Sequence, residues 1–127
     1  MVARSAWWSG GKARGAVLAV NAAGVTAAAG FAAVGLLRPS YVRSGASSSS
    51  LAEFWAASSA VRTWAVGAPL LLAIVRGDRP APALFVVAGL VQLGDGALGV
   101  WQRDARMAAF PTAMGLVHLA SARVVSR

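Results

Sequence analysis

The sequence predicts an all-α fold, a four-helix transmembrane bundle that runs up, down, up and down. Hydrophobic residues make up 57% of the 127 residues and charged residues only 13%, about half the charged share of a soluble domain. Four apolar stretches, each long enough to cross a hydrocarbon core of about 30 Å, alternate with polar turns. We predict one integral membrane domain over 15–123, between a basic N-terminal lead at 1–14 and a short basic tail at 124–127.

The first predicted helix covers 15–37 and consists largely of Ala and Gly. Such small residues let membrane helices approach each other closely. A cleaved signal peptide is the alternative, because a basic lead precedes the segment and the alanines at 27–29 offer a cleavage site. The apolar run continues past those alanines to Arg38 and Pro39, which favours a membrane helix.

The other three predicted helices cover 51–75, 82–101 and 106–123. A loop with Pro39 and serines at 47–50 precedes the second helix, and short polar turns follow the second and third. Pro69 falls inside the second helix, which membrane helices tolerate, and Pro111 falls in the first turn of the fourth. Short turns place consecutive helices side by side and antiparallel.

The charge distribution indicates a membrane partner rather than nucleic acid. Twelve Lys and Arg against four Asp and Glu give a formal net charge of +8, but the basic residues concentrate in turns and at the ends. We therefore predict that they contact the head groups of the lipid bilayer and that the chain binds no nucleic acid.

The same residues predict an orientation in the plasma (inner) membrane, multi-pass with both termini cytoplasmic. The cytoplasmic side would then hold seven basic residues: Arg4, Lys12, Arg14, Arg76, Arg79, Arg123 and Arg127. The outer side would hold four: Arg38, Arg43, Arg103 and Arg106. This excess has the direction of the positive-inside rule.

Few residues of this chain are suited to catalysis. There is no Cys and a single His, so disulfides, thiolate metal sites and His-rich metal sites are excluded. The sequence has no HExxH, no GxSxG and no paired carboxylates. We predict no catalytic residue, no metal and no cofactor, which argues against an enzyme.

Two charged residues lie deep in the predicted spans. At 1.5 Å per residue, Arg62 lies about 21 Å and Asp95 about 20 Å from the cytoplasmic ends of their helices. A lone Asp at that depth costs roughly 2.5–3.5 kcal/mol. Because the two helices are consecutive and antiparallel, we predict an intramembrane ion pair that faces the bundle interior. Removing one partner of a buried pair is expected to cost about 3–5 kcal/mol.

A second polar group is predicted nearer the cytoplasmic side. Asn21 and His118 lie about 9 Å and about 8 Å from the ends of the first and fourth helices, which are neighbours in such a bundle. Gln92 shares a small and polar stripe with Asp95 on the third helix. The candidate cluster is Asn21, Gln92 and His118. The alternative is structural: an ion pair that only stabilises the fold and a hydrogen-bonded packing histidine.

Several short motifs together resemble a known group of proteins. The first helix ends in Leu-Leu-Arg-Pro at 36–39, Gly67 follows Arg62, and Leu-Gly-Asp-Gly occupies 93–96 before the late His118. Over about 15–122 the chain resembles small bacterial four-helix membrane proteins of unknown function related to the DoxX-like group. The resemblance implies a four-helix bundle in a bacterial plasma membrane. Some DoxX relatives are linked to quinone or thiol redox chemistry, and the lack of Cys argues against the thiol form here.

Three functions are open to such a chain. The first is a structural or accessory subunit, a homo-oligomer or part of a larger membrane complex, with small-residue faces on the first and third helices. The second is a proton-coupled or small-solute transporter that uses Arg62, Asp95 and His118. The third is a redox subunit that handles a quinone-like lipophilic substrate. A dry, fully paired Asp95 would favour the first, and a water-accessible cavity that reaches Asp95 would favour the others.

Overall fold

A computed structural model of the chain describes residues 11–38, 50–77 and 81–126. Within these ranges the chain forms four helices, α1 (Gly11–Leu37), α2 (Ser50–Arg76), α3 (Ala81–Trp101) and α4 (Ala105–Val125). All four are long and apolar enough to cross a membrane. The predicted all-α bundle, running up, down, up and down, is confirmed, and the chain is a multi-pass membrane protein.

The helices extend beyond the apolar segments that predicted them. α1 begins at Gly11 rather than at residue 15, so Lys12 and Arg14 belong to the helix, and α4 continues through Val125 into the predicted tail. The apolar composition determines how much of a helix lies in hydrocarbon, whereas backbone hydrogen bonding continues into the head-group region, where basic side chains reach water. Residues 1–10 of the predicted lead, residues 39–49 of the loop, residues 78–80 of the turn between α2 and α3, and residue 127 lie outside the described ranges.

The turn between α3 and α4 is closed by backbone and side-chain hydrogen bonds. Arg103 adopts a left-handed φ of 56°, and the Asp104 N–H donates to the Gly99 carbonyl at 2.9 Å, the arrangement of a Schellman motif. The Asp104 carboxylate then accepts hydrogen bonds from the backbone N–H groups of Arg106 and Met107 at 3.0 and 3.1 Å. It therefore caps α4 by satisfying two N–H groups that have no partner within the helix.

Two prolines lie inside helices that continue through them. Pro69 falls within α2, as predicted. Pro111 is the seventh residue of α4, so the prediction that it lies in the first turn was wrong. The reason is that the helix starts directly after its Asp104 cap, before the apolar run begins.

Glycines allow α3 and α4 to pack more closely than the other helix pairs in the described part of the chain. A Cβ atom on Gly115 would lie 2.8 Å from Cγ of Leu93 and 3.0 Å from the carbonyl oxygen of Gly89. A Cβ atom on Gly99 would overlap the backbone of Ala108. These missing side chains bring the two backbones into direct contact, as small residues do in membrane helix pairs.

The buried apolar residues are concentrated in one half of the bundle. This packed half contains the start of α1, the end of α2, the start of α3 and the end of α4. Its core residues are Leu18, Val25, Leu70, Ala73, Ile74, Phe85, Ala88, Ala122 and Val125. In the far half, no residue of α1 after Val25 is buried, and none of the residues described over 53–59 of α2 is buried. The four helices therefore enclose a common core over only part of their length.

The α3–α4 contact predicts different effects for two glycines on the same helix. Gly99→Ala should destabilise the protein by about 1–3 kcal/mol, because the new methyl group meets backbone that has to move. Gly94→Ala is the matched control, since nothing lies within 4 Å of its added Cβ and both changes raise helix propensity equally. The midpoint of thermal unfolding in detergent measures both. Equal midpoints would show that the contact is not close.

Candidate functional site

The structure brings Arg62 of α2 and Asp95 of α3 together as an ion pair. Nη2 of Arg62 donates to Oδ1 of Asp95 at 2.5 Å. This is the pairing that equal depth on antiparallel helices predicted. The two side chains are 44% and 26% exposed, so the pair is only partly enclosed: Asp95 lines a cavity between the four helices, and the expectation of full burial was wrong for Arg62. The core of the packed half ends before this level, and the long Arg62 side chain reaches the carboxylate along the edge of the bundle.

The contact predicted between Asn21 of α1 and His118 of α4 is present. Nδ1 of His118 lies 2.5 Å from Oδ1 of Asn21. Both side chains are fully enclosed, with 2% and 0% of their surface exposed. The Phe85 ring packs near the imidazole, with its centroid 6.4 Å away. A hydrogen-bonded pair thus joins the first and last helices inside the packed half.

Sequence reasoning missed Ser121, which completes this cluster. The Asn21 Nδ2 group donates to Oγ of Ser121 at 2.7 Å and to the Val17 carbonyl at 2.7 Å. The Ser121 hydroxyl in turn donates to the Val117 carbonyl at 2.6 Å. The signal was present, since Ser121 lies three residues after His118 and therefore on the same helix face.

A further contact fixes the same register between α1 and α4. Nη2 of Arg14 donates to the carbonyl oxygen of Val125 at 3.0 Å, where a cation also interacts favourably with the negative end of the helix dipole. Arg14 precedes Asn21 by seven residues, and Val125 follows His118 by seven. The Asn21–His118 and Arg14–Val125 contacts lie about two helical turns apart. Together they hold α1 and α4 in one alignment.

A small cavity connects the two polar groups. It has a volume of about 30 Å³, and all four helices contribute to its walls, so it has room for about two water molecules. Its polar wall is formed by Thr63, Gln92, Asp95 and His118. The predicted cluster member Gln92 thus lines the cavity, and the structure gives it no hydrogen bond to Asn21 or His118 in the described part of the chain. Asp95 and His118 share one water-sized space.

Comparison with known protein families, with characterised proteins and with solved structures finds no match to this chain. The resemblance to proteins related to the DoxX-like group therefore stays a prediction. The function has to be argued from the geometry of the ion pair, the cavity and the buried cluster.

The ion pair predicts coupling between two substitutions. Arg62→Leu and Asp95→Leu should each destabilise the protein, because each leaves the other charge unpaired in an apolar span, and the double variant should recover much of the loss. Because the exposed part of each side chain lies within an apolar span and is not screened by water, we expect a coupling energy in the upper part of the range of about 0.5–3 kcal/mol.

Thermal unfolding in detergent of the two single variants and the double variant gives this coupling energy. If the two losses simply add, the side chains do not interact. Comparing the three variants is informative whether or not the losses add, because Leu at both positions suits the surrounding apolar span.

Proposed function

We propose that this protein binds protons within the plasma (inner) membrane and moves them, alone or coupled to a small solute, across it. Asp95 is the proton-binding carboxylate, Arg62 is its counter-ion, and His118 is a second proton site. The observation that supports this most directly is the water-sized cavity whose wall contains both Asp95 and His118.

The partly exposed ion pair supports a proton-linked role. Ionisable side chains inside membrane spans are costly, and chains of Asp, Glu and His commonly serve as proton relays. When a proton binds a carboxylate oxygen of Asp95, the carboxylate loses its charge and its attraction for Arg62 falls. Because the pair is at the edge of the bundle and not enclosed by core residues, Arg62 has space to move away. Proton uptake is thereby coupled to a change in how α2 contacts α3.

The cavity at Asp95 and His118 suits a proton rather than a lipophilic substrate, because about 30 Å³ accommodates water or a hydrated proton. A larger, apolar space of about 180 Å³ lies between α1 and α2, lined by Val25, Thr26, Ala29, Trp64, Gly67, Ala68 and Leu71. A redox subunit would have to hold its quinone-like substrate there, away from Asp95 and His118, so the polar site supports the proton-linked function.

The accessory-subunit role is the second proposal, and the surface of α1 supports it. The small residues of α3 already pack against α4: Gly96 and Gly99 of the predicted stripe contact it, and so does Gly89. On α1, by contrast, Ala19, Ala23, Ala27 and Gly30 are exposed at helical spacing. Such a face allows close approach of another membrane helix, from a second copy or from another protein.

Proton movement can be measured with the purified protein in liposomes that contain a pH-sensitive dye. With an imposed membrane potential, the wild type should change the internal pH faster than protein-free vesicles, and Asp95→Asn should reduce the rate to that of protein-free vesicles. Asp104→Asn is the matched control: it removes a carboxylate from the α3–α4 turn, and Asn caps a helix as well as Asp does.

A wild-type rate equal to that of protein-free vesicles would contradict the proton-linked function. Stable co-purification with other proteins in mild detergent at native expression, with no proton movement, would instead support the accessory role. If Asp95→Asn and Asp104→Asn both abolish proton movement, the carboxylate of Asp95 has no specific role in it.

The charges at the two ends of the bundle support an orientation with both termini cytoplasmic. Among the described residues, one end carries Lys12, Arg14, Arg76 and Arg123 and no carboxylate. The other end carries Arg38, Arg103 and Arg106 together with Glu53 and Asp104. The more basic end is the one that the positive-inside rule places in the cytoplasm.

This orientation predicts the location of fused reporters. A reporter that is active only in the cytoplasm should be active when fused after Arg127. It should be inactive when inserted in the α1–α2 connection at 45–48, which is the matched control. The reverse pattern would show that the bundle is inverted.

A further inference from the structure

The hydrogen bonds around Asn21 determine which of its side-chain atoms faces His118. Nδ2 lies 2.7 Å from the carbonyl oxygen of Val17 and 2.7 Å from Oγ of Ser121. A carbonyl oxygen only accepts hydrogen bonds, so the atom facing Val17 has to be the amide nitrogen. The other amide atom, the oxygen Oδ1, is therefore the one in contact with His118.

The hydroxyl of Ser121 supports the same assignment. Its hydrogen goes to the Val117 carbonyl at 2.6 Å, so towards Asn21 the hydroxyl oxygen acts as the acceptor. Both hydrogens of the Asn21 amide are then used, one by Val17 and one by Ser121. Rotating the amide by half a turn would place Oδ1 against the Val17 carbonyl with no hydrogen between them. These two partners therefore hold the amide in one orientation.

The orientation of Asn21 in turn determines where the hydrogen of the imidazole lies. Oδ1 carries no hydrogen, so Nδ1 of His118, 2.5 Å away, has to be the donor. A neutral histidine carries a single ring hydrogen, and a hydrogen on Nδ1 leaves the lone pair on Nε2. The structure gives Nε2 no hydrogen-bond partner among the described residues, and His118 lines the cavity.

We propose that Asn21 is a positioning residue that holds His118 in its Nδ1–H form, so that Nε2 is a proton acceptor facing the cavity. A hydronium ion in the cavity transfers a proton to Nε2: one of its O–H bonds breaks, an N–H bond forms, the imidazole becomes an imidazolium and a neutral water molecule remains. The Nδ1–H bond stays intact, because the amide oxygen of Asn21 is not a base. His118 therefore takes up and releases its proton through one nitrogen, on the cavity side.

The other groups around the cavity are consistent with this role. Asp95 is the other ionisable side chain among the described residues that line it, and Arg62 reaches Asp95 through the ion pair. α1 and α2 contribute Val25, Thr63 and Val66 to the wall, none of which ionises. A proton on Nε2 therefore has the Asp95 carboxylate as its negatively charged neighbour.

The test uses the full-length protein in lipid, with ¹⁵N-labelled histidine. Because the chain contains one His, the ring signals in a ¹⁵N NMR spectrum belong to His118 alone. The wild type in mildly alkaline buffer should show a hydrogen on Nδ1 and a lone pair on Nε2. In buffer acidified well below the pH at which a free histidine ionises, Nε2 should gain a hydrogen while Nδ1 keeps its own.

Two variants separate positioning from general packing. Asn21→Leu removes the acceptor and should allow the hydrogen to populate Nε2, so that two forms appear. Ser121→Ala is the matched control within the same cluster. It leaves the Val17 contact that orients the amide, and the Nδ1–H form should persist.

A hydrogen on Nε2 with a lone pair on Nδ1 in the wild type would overturn the proposal, even if no variant folds. So would an Nε2 signal that does not change between the two buffers. The proposal that Nε2 accepts protons for transport rests on the proposed function, but the NMR signature does not depend on transport. An Nδ1–H form that responds to pH, in a protein that moves no protons through vesicles, would contradict the proposed function and leave the positioning of His118 intact.

Discussion

The hydrogen-bonded cluster of Asn21, His118 and Ser121 is the constraint on which the arrangement of the helices depends. In a membrane, lipid tails are as apolar as Leu and Val, so burial of apolar side chains gives little preference for one helix alignment over another. A polar group in that setting has no water and has to find a protein partner. The cluster supplies those partners between α1 and α4, the two helices that are most distant in sequence. It therefore closes the bundle and determines the register in which it closes.

Two consequences follow for the shape of the bundle. The Arg14 contact with Val125 repeats the register of the cluster near the end of the helices, and the apolar core of the packed half collects around the same level. Beyond the cluster, α3 and α4 stay in contact through their glycines, while α1 contributes no buried residue after Val25. The packing is therefore asymmetric along the membrane normal, and the cavity lies where the common core ends.

This asymmetry gives the two polar groups different chemistry. His118 is enclosed, and its partners determine which ring nitrogen carries the hydrogen. The Arg62–Asp95 pair is less enclosed, because 44% of Arg62 and 26% of Asp95 are exposed. Both groups line or reach one water-sized cavity, and the proposed function uses this arrangement, with a proton that changes the contact between two helices.

The sequence by itself determined the features that depend on length, composition and rise per residue. The four spans, their alternation and the shared depth of Arg62 with Asp95 and of Asn21 with His118 all follow from apolar runs and from a rise of 1.5 Å per residue. Only the tertiary structure decided how each helix is rotated about its axis, because no span has a sharply one-sided polar pattern. Rotation placed Arg62 at the edge of the bundle, brought Ser121 to Asn21, turned the glycines of α3 towards α4 and put Gln92 on the cavity wall. The orientation of the Asn21 amide also could not be predicted from the sequence. It depends on the backbone carbonyl of Val17, which every residue type has, so no side chain at position 17 indicates it.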